Sequence, residues 1–278
     1  MKFWKIQGAG NDFIVLDQKN ECLDLKEMPA LVKKACERKM SLGADGLMLV
    51  GRPTGDANLK MYFYNSDGSI GEMCGNGARC IARYAFENGL APEEKILIET
   101  TAGIISAKRV DEKNYKIKLN NPNNTVLNET ASIDHEVYTY SYTELGNPGV
   151  PHLVTEDIFD SEEKAFSVAK SLRWHKKLAK GANVNLYRIV DSGKIKLKTF
   201  ERGVENFTLA CGTGAGSTVA LLRMLGLIKQ NEVEVVMPGG VLKINLEGEE
   251  VESNGQYTVK SIFLTGPTEV VAKGELFL

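Results

Sequence analysis

The chain is poor in the residues that would commit it to a metal, a membrane or a nucleic acid. Its three histidines, His135, His152 and His175, are scattered, and no Cys-x-x-Cys pair occurs, so a structural zinc site is not expected. The five cysteines, Cys22, Cys36, Cys74, Cys80 and Cys211, are an odd number in a chain of 278 residues. That length needs no staples, which argues against a disulfide scaffold and for a reducing compartment. No apolar run approaches the ~20 residues needed to cross a bilayer, and the start of the chain lacks the apolar stretch of a secretory signal. A soluble, cytoplasmic protein is expected. Charge of either sign is also missing in excess: 34 Lys and Arg stand against 36 Asp and Glu, a net of −2. Without a basic block, nucleic acid is excluded as a partner.

What is present is a motif used twice. Cys74 opens Cys-Gly-Asn-Gly-Ala and Cys211 opens Cys-Gly-Thr-Gly-Ala, each running into an apolar helical pattern. A thiol placed there faces unpartnered N–H groups and the positive end of a helix, which favour the thiolate. The spacing around the two motifs also repeats. Asn65 precedes Cys74 by the interval that separates Arg202 from Cys211, and Gly103 follows Cys74 as Gly240 follows Cys211. A period of half the chain indicates a duplicated domain. Cys22, Cys36 and Cys80, outside the motif, read as small buried hydrophobes.

Taken in order, strands are expected at residues 3–6, 13–17, 46–51, 59–65, 96–101, 104–109 and 115–119, with helices at 26–39 and after Cys74 as far as Asn88-Gly89. The asparagine-rich stretch 120–124 reads as the linker between halves. Beyond it come a strand at 136–143, a corner at 146–152, and a helix at 161–174 with Asp160 as N-cap and Glu163 at the capping-box position. Strands at 184–190 and 195–201 lead to a helix at 213–225 closed by Gly226, and strands at 234–236, 242–246, 257–264 and 270–276 end the chain. The expected fold is mixed α/β, with two similar pseudo-symmetric domains, each a strand-wrapped central helix, and the active site in the cleft between them. The expected boundaries are 1–120, joined by the last strand at 266–278, and 121–265.

Symmetry-equivalent cysteines suit inversion at a carbon: one removes a proton from one face and the other delivers a proton to the opposite face. Charge accumulates on the α-carboxylate as the proton leaves, and the two glycine turns supply backbone donors for it. A phosphate-loop reading fails because no lysine follows Gly216, and Gly75-Asn76-Gly77 lacks the third glycine of a dinucleotide loop.

Gln7-Gly-Ala-Gly-Asn-Asp-Phe13, Gly43-Ala-Asp-Gly46, Tyr64-Asn-Ser-Asp-Gly-Ser69, Glu72-Met-Cys-Gly-Asn-Gly77, Asn183-Val, Glu201-Arg-Gly203 and Leu209-Ala-Cys-Gly-Thr-Gly-Ala215 closely resemble the diaminopimelate epimerases, in order and over nearly the whole chain. The resemblance implies a cofactor-independent isomerase that interconverts LL- and meso-diaminopimelate on the lysine and peptidoglycan route, and a homodimer. By the same resemblance, Cys74 and Cys211 are the acid/base thiols. Asn11, Gly75, Asn76, Gly212 and Thr213 hold the reacting centre. Asn65, Asn183, Glu201 and Arg202 grip the distal centre, with Arg202 on its carboxylate and Glu201 on its ammonium. One departure stands out. Relatives often carry Gly-Asn-Pro-His where this chain has Gly146-Asn-Pro-Gly-Val-Pro-His152, so Asn147 is displaced or Val150 takes the asparagine position. A sister racemase of another amino acid, such as histidine or lanthionine, is the neighbouring alternative. A redox-sensitive anion-binding protein is the alternative from another class.

Overall fold

The computed structural model describes residues 1–19, 23–71, 74–91, 95–101, 103–146, 149–251 and 256–277. Cys22, Asn147 and the Glu72-Met73 lead-in to the first motif lie outside the described residues. The chain is mixed α/β and divides into two compact units, Met1–Lys118 with Gly266–Leu278, and Leu119–Thr265.

The first unit holds β1 (Lys2–Gly8), β2 (Asn11–Asp17), α1 (Met28–Cys36), β3 (Gly46–Gly51), β4 (Leu59–Asn65), α2 (Gly75–Glu87), β5 (Lys95–Thr100), β6 (Gly103–Arg109), β7 (Asn114–Leu119) and β17 (Glu269–Glu275). Its ladder runs β17-β1-β2-β3-β4-β5-β6-β7; β2–β3 and β4–β5 are parallel and the other pairs antiparallel. The second unit holds β8 (Pro122–Ile133), β9 (Glu136–Gly146), β10 (Gly149–Glu156), α3 (Glu162–Arg173), β11 (Asn183–Asp191), β12 (Lys194–Glu201), β13 (Asn206–Thr208), α4 (Gly212–Met224), β14 (Glu232–Met237), β15 (Gly240–Glu250) and β16 (Tyr257–Pro267). Here the ladder runs β8-β9-β10-β11-β12-β14-β15-β16, and the parallel pairs, β10–β11 and β12–β14, again fall third and fifth. The halves therefore share a topology as well as a motif.

Each ladder curls round one helix. Helix α2 packs on β1, β2, β3, β5 and β6, strands spread across its ladder, and α4 packs on β8, β9, β10, β11 and β15. Both helices are buried through most of their length. The second helix of each unit covers the outer face. Ile14, Leu16, Leu47 and Leu49 pack with Met28, Val32 and Ala35 of α1, whereas Val168, Ala169 and Leu172 of α3 pack with Val184, Leu186 and Phe200. Strands covered on both sides bury successive residues, as Phe13–Asp17 of β2 and Gly46–Val50 of β3 are buried, which is why Phe13–Leu16 and Leu47–Val50 read as unbroken apolar runs.

The structure corrects several expectations. The proposed linker at 120–124 runs into β8, and residues beyond it form strand too. Register shifts flank Val126, and Asn124 and Asn128 sit at positive φ, so bulges break the alternation that would have revealed the strand. Of the expected corner at 146–152, Gly146 ends β9 and pairs with Gly149, and Gly149–His152 lie within β10; residues 147 and 148 lie outside the described residues. Helix α3 starts one residue later than expected. Ser161, not Asp160, is the N-cap and accepts from the Lys164 N–H at 3.1 Å, which leaves Glu163 one position short of a capping box. Helix α1 is confined to Met28–Cys36, within the expected 26–39.

Candidate active site

Cys74 and Cys211 hold the same local position. Each is the N-cap of the central helix of its unit, with extended backbone. The Cys74 Sγ accepts from the Gly77 N–H at 3.4 Å, and the Cys211 Sγ from the Gly214 N–H at 3.3 Å. Sulfur thus takes the place that a serine or aspartate oxygen fills in an ordinary cap, beside the first-turn N–H groups, which have no partner within the helix. Cys74 is half-buried and Cys211 is buried, its sulfur also 3.5 Å from the Thr213 hydroxyl. Cys36, Cys74, Cys80 and Cys211 are reduced thiols. Burial pushes Cys36 up to about 11 and Cys80 up to about 12, so those two stay neutral, in keeping with their reading as hydrophobes.

In the first unit the cysteine is joined to a network anchored on the β1–β2 hairpin. Ala9 and Gly10 both adopt positive φ, the two-residue turn that brings Asn11 opposite Gly8. A Cβ on Gly8 would lie 3.2 Å from the Asn76 carbonyl oxygen and 3.2 Å from the Cys80 Sγ, so the hairpin seats on the first turn of α2 only because glycine stands there. The Asn76 amide donates to Asn11 Oδ1, and Asn11 donates to Asp45 at 3.1 Å. Asp45 in turn accepts from Arg38 at 2.9 Å, which also binds Asp12 at 2.6 Å, with Lys5 on Asp12 at 2.7 Å. Burial raises Asp12, but the hydrogen bonds from Arg38 and Lys5 outweigh it and hold the carboxylate below its ordinary range. The sequence reading passed over Asp45, Arg38 and Lys5. Asp45 sat in a quoted motif, but nothing in its neighbours tells that it orients an amide 34 positions away. Asn65 ends β4, exposed, its amide donating to the Ser69 hydroxyl at 2.9 Å.

In the second unit Asn183, Glu201 and Arg202 come together at the ends of β11 and β12. Asn183 is 4% exposed and uses its amide internally, donating to the Pro151 carbonyl at 3.2 Å and accepting from the Arg202 N–H at 2.8 Å. It therefore fixes the backbone of Arg202. Glu201 accepts from Thr208 at 2.9 Å across the short β12–β13 hairpin. The Arg202 guanidinium has no carboxylate partner among the described residues.

Ladder register shows where the halves diverge. Phe13 faces Gly46 as His152 faces Asn183, so Val150 occupies the place that Asn11 takes in the first unit. Phe13, Met48 and Phe63 correspond in the same way to His152, Asn185 and Thr199. The apolar trio packs ring on ring, Phe13 against Phe63 with centroids 6.0 Å apart. The polar trio is hydrogen-bonded: Asn185 meets His152 Nδ1 at 3.2 Å, and Thr199 donates to Asn185 at 2.9 Å. A Cβ on Gly214 would come within 2.3 Å of Asn185 Oδ1, so α4 rests directly on this trio.

His152 is fully buried, and burial, with the charge of Arg202 second, drives it down to about 3 from an ordinary 6.5. In the unfolded chain it takes up a proton near 6.5, whereas in the fold it remains neutral until about 3. Below pH 6.5 the unfolded state therefore binds more protons, and stability is lost as pH falls through that window. We expect His152→Gln to flatten the urea-unfolding stability curve between pH 6.5 and 4, removing up to about 1.4 kcal/mol of loss per pH unit. Parallel curves for the two proteins would contradict this origin of the acid sensitivity.

Among the described residues, no helix is long and apolar enough to cross a membrane, and no three His, Cys, Asp or Glu side chains gather as a metal site. A protein-family model described as diaminopimelate epimerase matches residues 3–124 and 145–268. The chain is 38% identical over 288 residues to the diaminopimelate epimerase of Aquifex aeolicus, covering 99% of this chain and 98% of that protein. It is 37% identical over 289 residues to the enzyme of the same name from Hydrogenobaculum, covering 99% and 98%. Among solved structures, a phenazine biosynthesis protein of the PhzF family from Bacillus anthracis superposes with a TM-score of 0.74 at 15% identity, covering 100% of this chain and 99% of that one.

Proposed function

The chain belongs to the diaminopimelate epimerase family, and on that premise we propose that it is a cofactor-independent isomerase converting LL-diaminopimelate to meso-diaminopimelate, in lysine and peptidoglycan precursor synthesis. The observation that carries the chemical reading is the pair of equivalent cysteine caps, one in each unit. In the proposed mechanism one sulfur, as thiolate, takes the α-hydrogen while the other, as thiol, supplies a proton to the opposite face. Product release leaves the two protonation states exchanged. The carbanion's charge spreads onto the α-carboxylate, where the first-turn N–H groups around Gly75 and Asn76, and around Gly212 and Thr213, are suited to receive it. Asn11, whose amide is oriented from both sides, adds a side-chain donor. At the other end of the substrate Arg202 binds the distal carboxylate and Glu201 the distal ammonium, with Asn65 alongside and Asn183 holding Arg202 in place.

A cytoplasmic setting follows from the same proposal, since the thiols work only when reduced. The chemistry also restricts the ligand to a small amino acid with two charged ends; a homodimer is proposed on the family resemblance alone.

The test is a substrate panel in D₂O. LL-diaminopimelate is expected to yield the meso isomer carrying one deuterium at the inverted α-carbon. Turnover of histidine or lanthionine with none of diaminopimelate would instead favour a sister racemase, a reading supported by Val150 standing where the other half has Asn11. Absence of exchange into every substrate under reducing conditions would leave only a binding protein.

A further inference from the structure

The two cysteine helices differ in one buried charge. Arg79 lies five residues after Cys74 and is fully buried. Its Nη2 donates to Asn76 Oδ1 at 2.9 Å and its Nη1 reaches the Gly75 carbonyl at 3.4 Å, both in the first turn of α2, while Nε has no hydrogen-bond partner among the described residues. The groups facing the guanidinium are equally unusual. Nη2 would lie 3.5 Å from a Cβ on Gly8, a point that is also 3.2 Å from Cys80 Sγ, and among the described residues the ionisable side chains acting on the cation are Cys80 and Cys74, with no carboxylate. A buried cation without an anion is a costly arrangement, and carboxylates usually relieve it. Cys80 cannot, because burial keeps it neutral. Among the described residues, that leaves Cys74 as the group whose ionisation would balance the guanidinium. In the second unit the fifth residue after Cys211 is Gly216, which has no side chain to carry a charge, and the nearest atoms a Cβ there would meet are the apolar ends of Leu119, Ile262 and Leu145.

We infer that Arg79 is a positioning residue that breaks the equivalence of the two thiols, so that in the free protein Cys74 carries the thiolate and Cys211 the proton. The same guanidinium holds Asn76 Oδ1, leaving the Asn76 amide N–H to orient Asn11. Charge and geometry on the Cys74 side thus depend on one side chain. The catalytic meaning rests on the epimerase reading: turnover starts from whichever isomer offers its α-hydrogen to Cys74. The ordering of the thiols is a property of the free protein and can be tested without turnover.

The experiment follows iodoacetamide alkylation of each cysteine by peptide mass spectrometry from pH 5 to 10, in wild type, Arg79→Met and Arg79→Lys. In wild type the midpoint for Cys74 is expected at least one pH unit below that for Cys211. Arg79→Met should raise the Cys74 midpoint by a unit or more, slowing its alkylation about five-fold or more at the wild-type midpoint and about ten-fold well below it, and leave the Cys211 midpoint in place. Arg79→Lys, which keeps the charge, should stay close to wild type; should Arg79→Met fail to fold, the wild-type ordering and the lysine variant still decide. A Cys211 midpoint equal to or below that of Cys74, or an Arg79→Met protein that moves both midpoints alike or neither, would overturn the inference. Either result leaves the epimerase reading to its own test, because deuterium incorporation is measured separately.

Discussion

Cys74→Ser and Cys211→Ser should each lose epimerase activity, with kcat/KM down by about 10²–10⁴, the usual contribution of a positioned acid or base. Serine is the informative replacement. It is a better N-cap than cysteine, so the bond from the Gly77 or Gly214 N–H is retained and the helix keeps its start. Its hydroxyl, however, ionises far above neutral pH and cannot act as the base. A fall in activity with an unchanged unfolding midpoint therefore isolates proton transfer from folding. Alanine tests the same point at the cost of the cap. Either serine protein turning over at the wild-type rate would end the two-thiol proposal.

Arg202→Met should weaken the enzyme by raising KM more than it lowers kcat, since the contact it removes is remote from the reacting carbon. A charge-assisted hydrogen bond to a carboxylate contributes about 1.5–3 kcal/mol, so a loss of roughly 10- to 150-fold in kcat/KM is expected. The fold should tolerate the change: the Arg202 side chain has no ion-pair partner among the described residues, and its anchoring bond to Asn183 is made by the backbone N–H. The variant should also discriminate less between diaminopimelate and an amino acid lacking the distal carboxylate. Steady-state kinetics on both substrates check this, and an unchanged ratio would remove Arg202 from substrate recognition.

The parts of the molecule that were legible in the sequence share a physical property: each is announced by residues close together in the chain. A cysteine followed by Gly-x-Gly-Ala and an apolar run specifies a capped, buried helix, and both copies form one. The unbroken apolar runs of β2 and β3 likewise reflect burial on both faces. Strand β8 was hidden because asparagines at positive φ interrupt its alternation, and the start of β10 because Gly149 and Pro151 look like turn residues. The support for Asn11 was hidden for a different reason: Asp45 and Arg38 reach it through space from other elements. The Phe13–Met48–Phe63 and His152–Asn185–Thr199 trios show the limit most clearly. Duplication could be read from spacing, but the exchange of an apolar trio for a polar one at matching rungs becomes visible only when the ladders are aligned.

The last strand pairs with the first: β17 lies against β1, and the terminal amino group of Met1 donates to the Leu276 carbonyl at 3.0 Å. Residues 119–265 form a contiguous unit, whereas the unit of residues 1–118 takes its β17 edge from a segment made only after the whole of 119–265 has been synthesised. Until that segment is made, β1 is an uncovered margin on its β17 side, and its exposed Lys2 is the kind of charge that discourages pairing with a neighbouring chain.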